Sequence, residues 1–188
     1  MPSIDGGATH AAAPAGRTVR STIISGKAVV SYSHIILVTG SRAWENETLV
    51  QDAFWRAWTW WGPSTVTRPL LVSGHASGGA DRVAEKLWAS RGLESKLFPA
   101  DWASHGRAGG PRRNQEMVDF VASQRRQAHT DVLCLAFVEA CRLPDCPRSP
   151  AGPHVSHGTG DCLARAARRG ITAWRIEASP VQLPVLLR

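Results

Sequence analysis

Four short segments of the sequence place glycine beside hydroxyl, basic or carboxylate side chains, a composition typical of loops that hold phosphate groups. Glycine lets the backbone approach a ligand closely, free N–H groups at a helix start bind anions, and guanidinium groups add charge-assisted hydrogen bonds. Glycine and serine also form ordinary turns, so the prediction depends on all four segments occurring together. The residues predicted to bind a phosphorylated ligand are Gly40, Ser41, Arg42, Gly74, Gly78, Gly79, Asp81, Gly110, Arg113, Asn114, Gly158 and Thr159.

Two residues of this set have ordinary structural alternatives. Asp81 falls in the first turn of a predicted helix, where a carboxylate is favourable because of the helix dipole, or else it contacts a ribose hydroxyl. Asn114 is either a plain helix residue or a contact to a base. The sequence leaves both alternatives open.

A second group of residues has the donor types of a metal site. Cys141 and Cys146 are spaced C-x4-C, and His154 and His157 follow as H-x2-H. Two thiolates and two imidazoles suit tetrahedral zinc, and four protein ligands predict a structural ion with no open position for water. The histidine gap is shorter than usual, and the alternative is a mobile proline-rich loop with incidental thiols.

These residues must be positioned by the elements between them, and the apolar pattern alternates between strands and helices with short connections. Such alternation predicts an α/β fold: a Rossmann-like three-layer domain with a mainly parallel sheet of about five strands. All four glycine-rich segments then follow strands, at the edge of the sheet where such folds bind ligands. The predicted strands are 35–38, 70–72, 95–98, 131–137 and 171–176, and the predicted helices are 46–61, 79–91, a third that opens at Pro111, and 159–169.

The rest of the chain is divided by composition. Residues 1–33 are rich in small and polar residues at their start and are predicted to be a largely disordered arm, with a short strand over 28–31 as an option. The domain is predicted to span 34–178, with the cysteine and histidine loop as an insertion over 138–158. Residues 179–188 form a C-terminal tail.

The chain is basic, with 22 Lys+Arg against 15 Asp+Glu and a formal net charge of +7. A nucleic-acid partner and a small anionic ligand both fit this charge; we favour the small ligand, because the basic residues are spread out rather than clustered. No apolar run approaches the ~20 residues of a membrane helix, and no secretion signal is visible. We therefore expect a cytoplasmic protein without membrane contact, and the sequence leaves assembly into a homo-oligomer open.

Read together, the segments ILVTGSRAW, SGHASGGAD, PADWASHGRAGGPRRNQEM and the late GTGD–helix–GIT stretch resemble the SLOG superfamily over about residues 34–176. More narrowly they resemble its YspA/YpsA-related branch, which is frequent in actinobacteria and their phages. The resemblance implies a Rossmann-like domain that binds a nucleotide or nucleotide-derived ligand, as a sensor or a sequestering module. It also implies that the TGSR, GG-AD and G-x-x-RN segments line the pocket, and these are here Gly40, Ser41, Arg42, Gly78, Gly79, Asp81, Gly110, Arg113 and Asn114.

The same superfamily suggests two alternatives. Enzymes that resemble cytokinin-activating phosphoribohydrolases carry P-G-G-x-G-T-x-x-E, whose glutamate takes part in cleaving the N-glycosidic bond. Here Gly158-Thr159 remain, but Cys162 stands at the position of that glutamate, so whether the chain is an enzyme stays open. Proteins that resemble the DNA-processing protein DprA bind single-stranded DNA, which keeps nucleic acid as a second alternative.

Overall fold

The computed structural model describes residues 23–24, 27–28, 31–148, 152–177 and 185–187. The chain divides into two units, Met1–Val30 and Ser31–Arg188. In the first unit, β1 (Ile23–Ile24) pairs with β2 (Lys27–Ala28) in antiparallel fashion. Most of the predicted arm lies outside the described residues. Of the strand considered over 28–31, Ala28 ends β2, Ser31 is not in a strand, and the two residues between them are outside the description.

The described part of the second unit contains a six-stranded sheet. Its order is β5-β4-β3-β6-β7-β8; the first five strands run parallel, and β8 pairs with β7 in the antiparallel direction. The order reverses between β3 and β6, so this is the switch point at which open α/β sheets bind ligands. In chain order the strands are β3 (His34–Gly40), β4 (Pro69–Ser73), β5 (Glu94–Leu97), β6 (Asp131–Val138), β7 (Thr172–Glu177) and β8 (Val185–Leu187).

Helices cover both faces of the sheet because successive residues of a buried strand point to opposite sides. Ile36 and Val38 of β3 pack with α1 and α2 in one core, and Ile35 and Leu37 pack with α4 and α5 in the other. This confirms the predicted Rossmann-like three-layer architecture. The helices are α1 (Glu47–Trp61), α2 (Gly79–Ala89), α3 (Trp102–His105), α4 (Gly109–Ala128) and α5 (His157–Arg168).

The structure differs from the predicted elements mainly before α4. That helix begins at Gly109 rather than Pro111, and it is preceded by α3 and a 3-10 turn over Gly106–Ala108 that the sequence did not predict. Asp101 caps α3 by accepting a hydrogen bond from the backbone N–H of Ser104 at 2.9 Å. Four residues are too few to show helical periodicity, so a cap of this kind was the only sequence signal.

Smaller differences from the predicted elements occur at the ends of other helices and in the predicted C-terminal tail. α2 ends at Ala89, before the predicted 91, and α5 begins at His157 rather than at Thr159. Three residues of the predicted tail form β8 at the edge of the sheet. Within the described residues, no helix combines the length and the apolar character needed to cross a membrane.

Candidate functional site

A cleft of about 1010 Å³ opens at the switch point of the sheet. Its walls are the carboxyl end of β3 with the residues that follow it, the region around the start of α4, and the loop from β6 to α5. The fold therefore brings together three of the four predicted glycine-rich segments and two residues of the fourth, Ala76 and Asp81. The predicted residues that line the cleft are Gly40, Ser41, Arg42, Asp81, Gly110, Arg113, Asn114, Gly158 and Thr159.

The remaining three predicted residues, Gly74, Gly78 and Gly79, lie outside the lining of this cleft. Gly79 has φ of +73°, and a Cβ there would lie 2.1 Å from the carbonyl oxygen of Ser41. The backbone N–H of Ala80 donates to that same carbonyl at 3.1 Å. Gly79 thus lets the start of α2 pack directly on the β3–α1 loop, and this contact holds the Ser41 backbone in place.

Arginine dominates the charge of the cleft. Five arginines line it, against the two carboxylates of Asp81 and Asp161, and each of these carboxylates is paired with an arginine. Within the described part of the chain, three of the five form no ion pair. Since unpaired guanidinium groups attract anions, the cleft is suited to a ligand that carries negative charge. The five lining arginines are Arg42, Arg107, Arg113, Arg142 and Arg148, and those without an ion pair are Arg42, Arg107 and Arg148.

Arg113 is held at the floor of the cleft by two partners. Its guanidinium lies 3.6 Å from the Asp81 carboxylate and donates to the carbonyl of Gly74, and both charged side chains are largely buried, at 14% and 7% exposed. A Cβ on Gly74 would overlap the Arg113 guanidinium at 1.6 Å, so any larger residue there would displace this guanidinium from Asp81. The predicted glycine and arginine therefore form one structural unit with Asp81.

Burial raises the pKa of Asp81 to about 6 from an ordinary value of 3.8. Arg113 and the hydrogen bond from the backbone N–H of Ala76 favour the carboxylate, and so does the more distant Arg42, but together they offset only part of the desolvation. The nearby Glu85 carboxylate raises the pKa further. A carboxyl group in a cleft with this pKa takes up a proton just below neutral pH.

We expect this group to make the protein less stable as pH rises from about 4 to about 6. In that window the folded state keeps the Asp81 proton that the unfolded chain releases. Between about pH 4 and pH 6, the free energy of unfolding of the wild type minus that of Asp81→Asn should fall by on the order of 3 kcal/mol, since one pKa unit corresponds to about 1.4 kcal/mol. Urea unfolding from pH 4 to pH 7 measures it. Asp52→Asn, on an exposed face of α1, is the control, and a flat difference for Asp81→Asn would contradict the raised pKa.

Asn114 joins α4 to the start of α5. Its side-chain amide donates to the carbonyl of Gly158 at 3.2 Å and to the carboxylate of Asp161 at 2.9 Å, and the residue is only 2% exposed. Asp161 also accepts from Arg165 at 2.8 Å. Of the alternatives left open by the sequence, the structure thus gives Asn114 a positioning contact at the cleft wall.

The four predicted metal ligands come together in one cluster at the wall of the cleft, which Cys141, His154 and His157 line. The candidate ligand atoms of Cys141, Cys146, His154 and His157 all lie within 4.8 Å of one another. The Cys146 sulfur is 3.3 Å from Nε2 of His154 and 3.0 Å from Nε2 of His157, and the two nitrogens are 3.2 Å apart. A zinc tetrahedron with Zn–N of about 2.0 Å and Zn–S of about 2.3 Å has edges of about 3.3–3.8 Å. The cluster can therefore hold a metal ion after small adjustments.

Backbone pairing within the loop brings these residues together. Ala140 and Val155 form an antiparallel bridge, and the backbone N–H of Cys141 donates to the carbonyl of His154 at 2.7 Å. Nδ1 of His154 lies 3.2 Å from the carbonyl of Gly152, a contact that is satisfied when Nδ1 carries the proton and Nε2 is free to bind a metal. Cys141 and His154 are thirteen positions apart in the chain, and this bridge brings them together.

The thiol of Cys146 is also suited to ionise. Burial opposes the thiolate, but hydrogen bonds from the backbone of Arg148 and from the His157, Cys141 and His154 side chains outweigh it. They lower the pKa of Cys146 to about 6. The thiolate is the form in which cysteine binds metals.

The sequence did not single out Trp102, which lines the cleft with 48% of its surface exposed. The sequence signal that could have identified Trp102 lies in the PADWASHGRAGG segment, where an aromatic residue stands among small and polar ones. Arg148 was missed as well, because the fold of the β6–α5 loop alone places it at the cleft.

The strand order and the basic cleft at the switch point define a Rossmann-like α/β protein with a candidate ligand site. The sequence model of the YspA, cpYpsA-related SLOG family matches residues 34–105. The chain is also 33% identical over 143 residues to the Gene 61 protein of Mycobacterium phage D29, covering 72% of this chain and 90% of that protein. The chain therefore belongs to the YspA, cpYpsA-related SLOG family, as its motifs indicated. No solved structure matches it. Membership of this family suggests a nucleotide-related binding or processing role.

Proposed function

We propose that the protein binds a nucleotide or a nucleotide-derived phosphorylated ligand in this cleft and acts as a sensor or sequestering module. The observation that carries the proposal is the concentration of arginine at the switch point of the sheet, where Arg42, Arg107 and Arg148 have no ion-pair partner among the described residues. A ligand with several negative charges would supply those partners.

The start of α5 supports a phosphate position at one end of the cleft. The backbone N–H groups of Gly158 and Thr159 make no hydrogen bond among the described residues, and the helix has no side-chain cap. A first turn of this kind binds anions through its free N–H groups and the helix dipole. Asn114 fixes this turn through the Gly158 carbonyl, so the donors are held in place before a ligand arrives.

Arg42→Ala is expected to weaken binding of a phosphorylated nucleotide by about 1.5–3 kcal/mol, the range for a hydrogen bond to a charged group. Arg42 is exposed at the cleft and forms no ion pair within the described residues. Its removal should cost at most about 1 kcal/mol of stability, through the lost contact with the Trp102 ring. Calorimetric titration with AMP, ADP, ATP and their guanine counterparts measures the affinity. Arg56→Ala, exposed on α1 away from the cleft lining, is the control. A short oligodeoxythymidine in the same panel tests single-stranded nucleic acid, and tighter binding of it would favour that alternative.

Cys162 supports binding without cleavage of the N-glycosidic bond. It stands where the phosphoribohydrolase motif has glutamate, and it is fully buried. Burial raises the pKa of this thiol to about 12, so it stays neutral and cannot act as an acid or a base near pH 7. Chromatography of the titration samples for free base tests the hydrolase alternative, and robust release of base would show that another acid, such as Asp161 or Asp81, performs the chemistry.

We further propose that the cluster of two cysteines and two histidines holds one structural zinc ion. The donor set is the one zinc prefers, and the four side chains complete a tetrahedron without water. The ion would join Cys141 and Cys146 of the loop to His157, the first residue of α5. Its effect would be to order the loop that forms one wall of the cleft.

A further inference from the structure

We propose that Trp102 is the platform on which the base of the bound nucleotide stacks, so that the cleft selects ligands with an intact base over phosphosugars and inorganic phosphates. This inference rests on the proposed function and names the part of the ligand that the cleft recognises. It starts from a large aromatic side chain that lines the cleft while 48% of its surface is exposed.

The Trp102 indole, on α3, packs against the start of α4. A Cβ on Gly110 would lie 3.0 Å from Cη2 of Trp102 and within 4 Å of two further ring carbons. A Cβ on Gly109 would lie 3.3 Å from Cε3 of the ring and 2.9 Å from the carbonyl of Asp101. The two glycines therefore let the edge of the ring pack closely against the start of α4, and the cap of α3 by Asp101 fixes the backbone that carries it. A ring held in this way loses little conformational entropy when a ligand stacks on it.

A cation lies over the Trp102 ring, so a base that stacks there shares the ring with this guanidinium. The Arg42 guanidinium carbon is 5.4 Å from the centroid of the Trp102 ring, within the range of a cation–π contact. A planar aromatic surface next to an arginine without an ion pair matches the two halves of a nucleotide, because the base can stack while the phosphate binds the guanidinium. A phosphosugar or pyrophosphate would use only the cationic half.

Exposure alone does not distinguish Trp102, since Trp55 and Trp60 of α1 are exposed by 68% and 52%. Neither of these lines the cleft, and Trp60 packs against Trp61 and Trp174. Trp102 combines exposure, rigid support and a neighbouring cation inside the cleft. Trp55 provides a matched control, because its removal deletes an exposed indole elsewhere on the same unit.

The test compares a nucleotide with its base-free counterpart. Calorimetry is performed with AMP, ATP, ribose 5-phosphate and pyrophosphate on the wild type, Trp102→Ala, Trp102→Phe and Trp55→Ala. Base stacking predicts that Trp102→Ala weakens AMP or ATP about tenfold or more while ribose 5-phosphate and pyrophosphate change less than about twofold. Trp102→Phe should keep most of the affinity, and Trp55→Ala all of it. Thermal melting verifies that each variant is folded.

The outcomes separate this inference from the function on which it rests. Nucleotide binding that survives Trp102→Ala, or a loss shared equally by AMP and ribose 5-phosphate, would overturn the stacking role and leave nucleotide binding standing. Wild-type binding of ribose 5-phosphate as tight as that of AMP would also overturn it. Absence of binding by any member of the panel would overturn both proposals.

Discussion

Protein purified without added metal is expected to contain one zinc ion per chain, and Cys141→Ser/Cys146→Ser is expected to contain almost none. The two thiolates supply half of the tetrahedral ligands, and the serine hydroxyl groups that replace them are poor ligands for zinc. Structural zinc sites contribute about 10 kcal/mol or more in small peptides, so loss of the ion should release the loop between β6 and α5. Elemental analysis measures the stoichiometry, and limited proteolysis of the loop reports its release.

The chain offers a matched control for the double substitution. Cys134 is also a free thiol, but it is fully buried in β6 and outside the cluster. Cys134→Ala should keep the full zinc content while losing about 1 kcal/mol of stability for the removed core atom. Unchanged zinc content in the double variant would refute the ligand assignment. Wild-type protein that lacks zinc and melts at the same temperature with and without chelator would support the mobile-loop alternative.

Metal loss is also expected to weaken nucleotide binding, because the same loop supplies one wall of the cleft. His157 begins α5, and the free N–H groups of Gly158 and Thr159 follow it directly. Titration of AMP or ATP before and after chelation measures this coupling. Equal affinity in the two forms would show that Asn114 alone is sufficient to hold the helix start.

Arg113→Ala is expected to lower the free energy of unfolding by about 3 kcal/mol, the low end of the range for breaking a buried ion pair. The substitution leaves the buried Asp81 carboxylate without its cation and the Gly74 carbonyl without its donor. The loss stays at the low end because Asp81, with a pKa already raised to about 6, can take up a proton instead of remaining charged. Urea unfolding at pH 7 gives the magnitude.

The neighbouring residue provides the comparison for Arg113. Arg112 has the same side chain and precedes it in α4, but it is exposed and forms no ion pair among the described residues. Arg112→Ala should change stability by less than about 0.5 kcal/mol. The double variant Arg113→Ala/Asp81→Asn should recover part of the loss, since it removes the uncompensated charge. Similar stabilities for the Arg112 and Arg113 variants would show that the buried ion pair between Arg113 and Asp81 does not stabilise the fold.

The order of the elements could be predicted from the sequence because each buried strand is a short apolar run. The run from Ile35 to Val38 is buried on both faces, so every residue is apolar, and Thr39-Gly40 mark its end. The sequence pattern for β5 was the weakest, because this edge strand is mainly polar. A polar composition is expected for a strand that has only one neighbour in the sheet. The short α3 had no periodicity to reveal it, although its capping aspartate was visible.

The pairs within the cleft could not be predicted because they join residues far apart in the chain. Arg113 contacts Gly74 across thirty-nine positions, and Asn114 contacts Asp161 across forty-seven. Residue types predicted a ligand contact for Arg113 and left Asn114 open between a plain helix residue and a base contact, whereas the tertiary structure gives both side chains protein partners. The same packing made Gly79 a contact of the Ser41 carbonyl and turned Trp102 toward the cleft.

The sequence by itself determined the alternation of strands and helices, the family and the four residues of the candidate metal cluster, because each follows from local periodicity, spacing or residue type. The tertiary structure decided which of these residues meet. Parallel strands are joined by crossovers, so the loops at one edge of the sheet come from distant parts of the chain, and their distances depend on packing. That packing placed Asp81 in a buried position that raises its pKa to about 6, left Arg42 exposed beside Trp102, and set the cluster of Cys141 and His157 against the cleft.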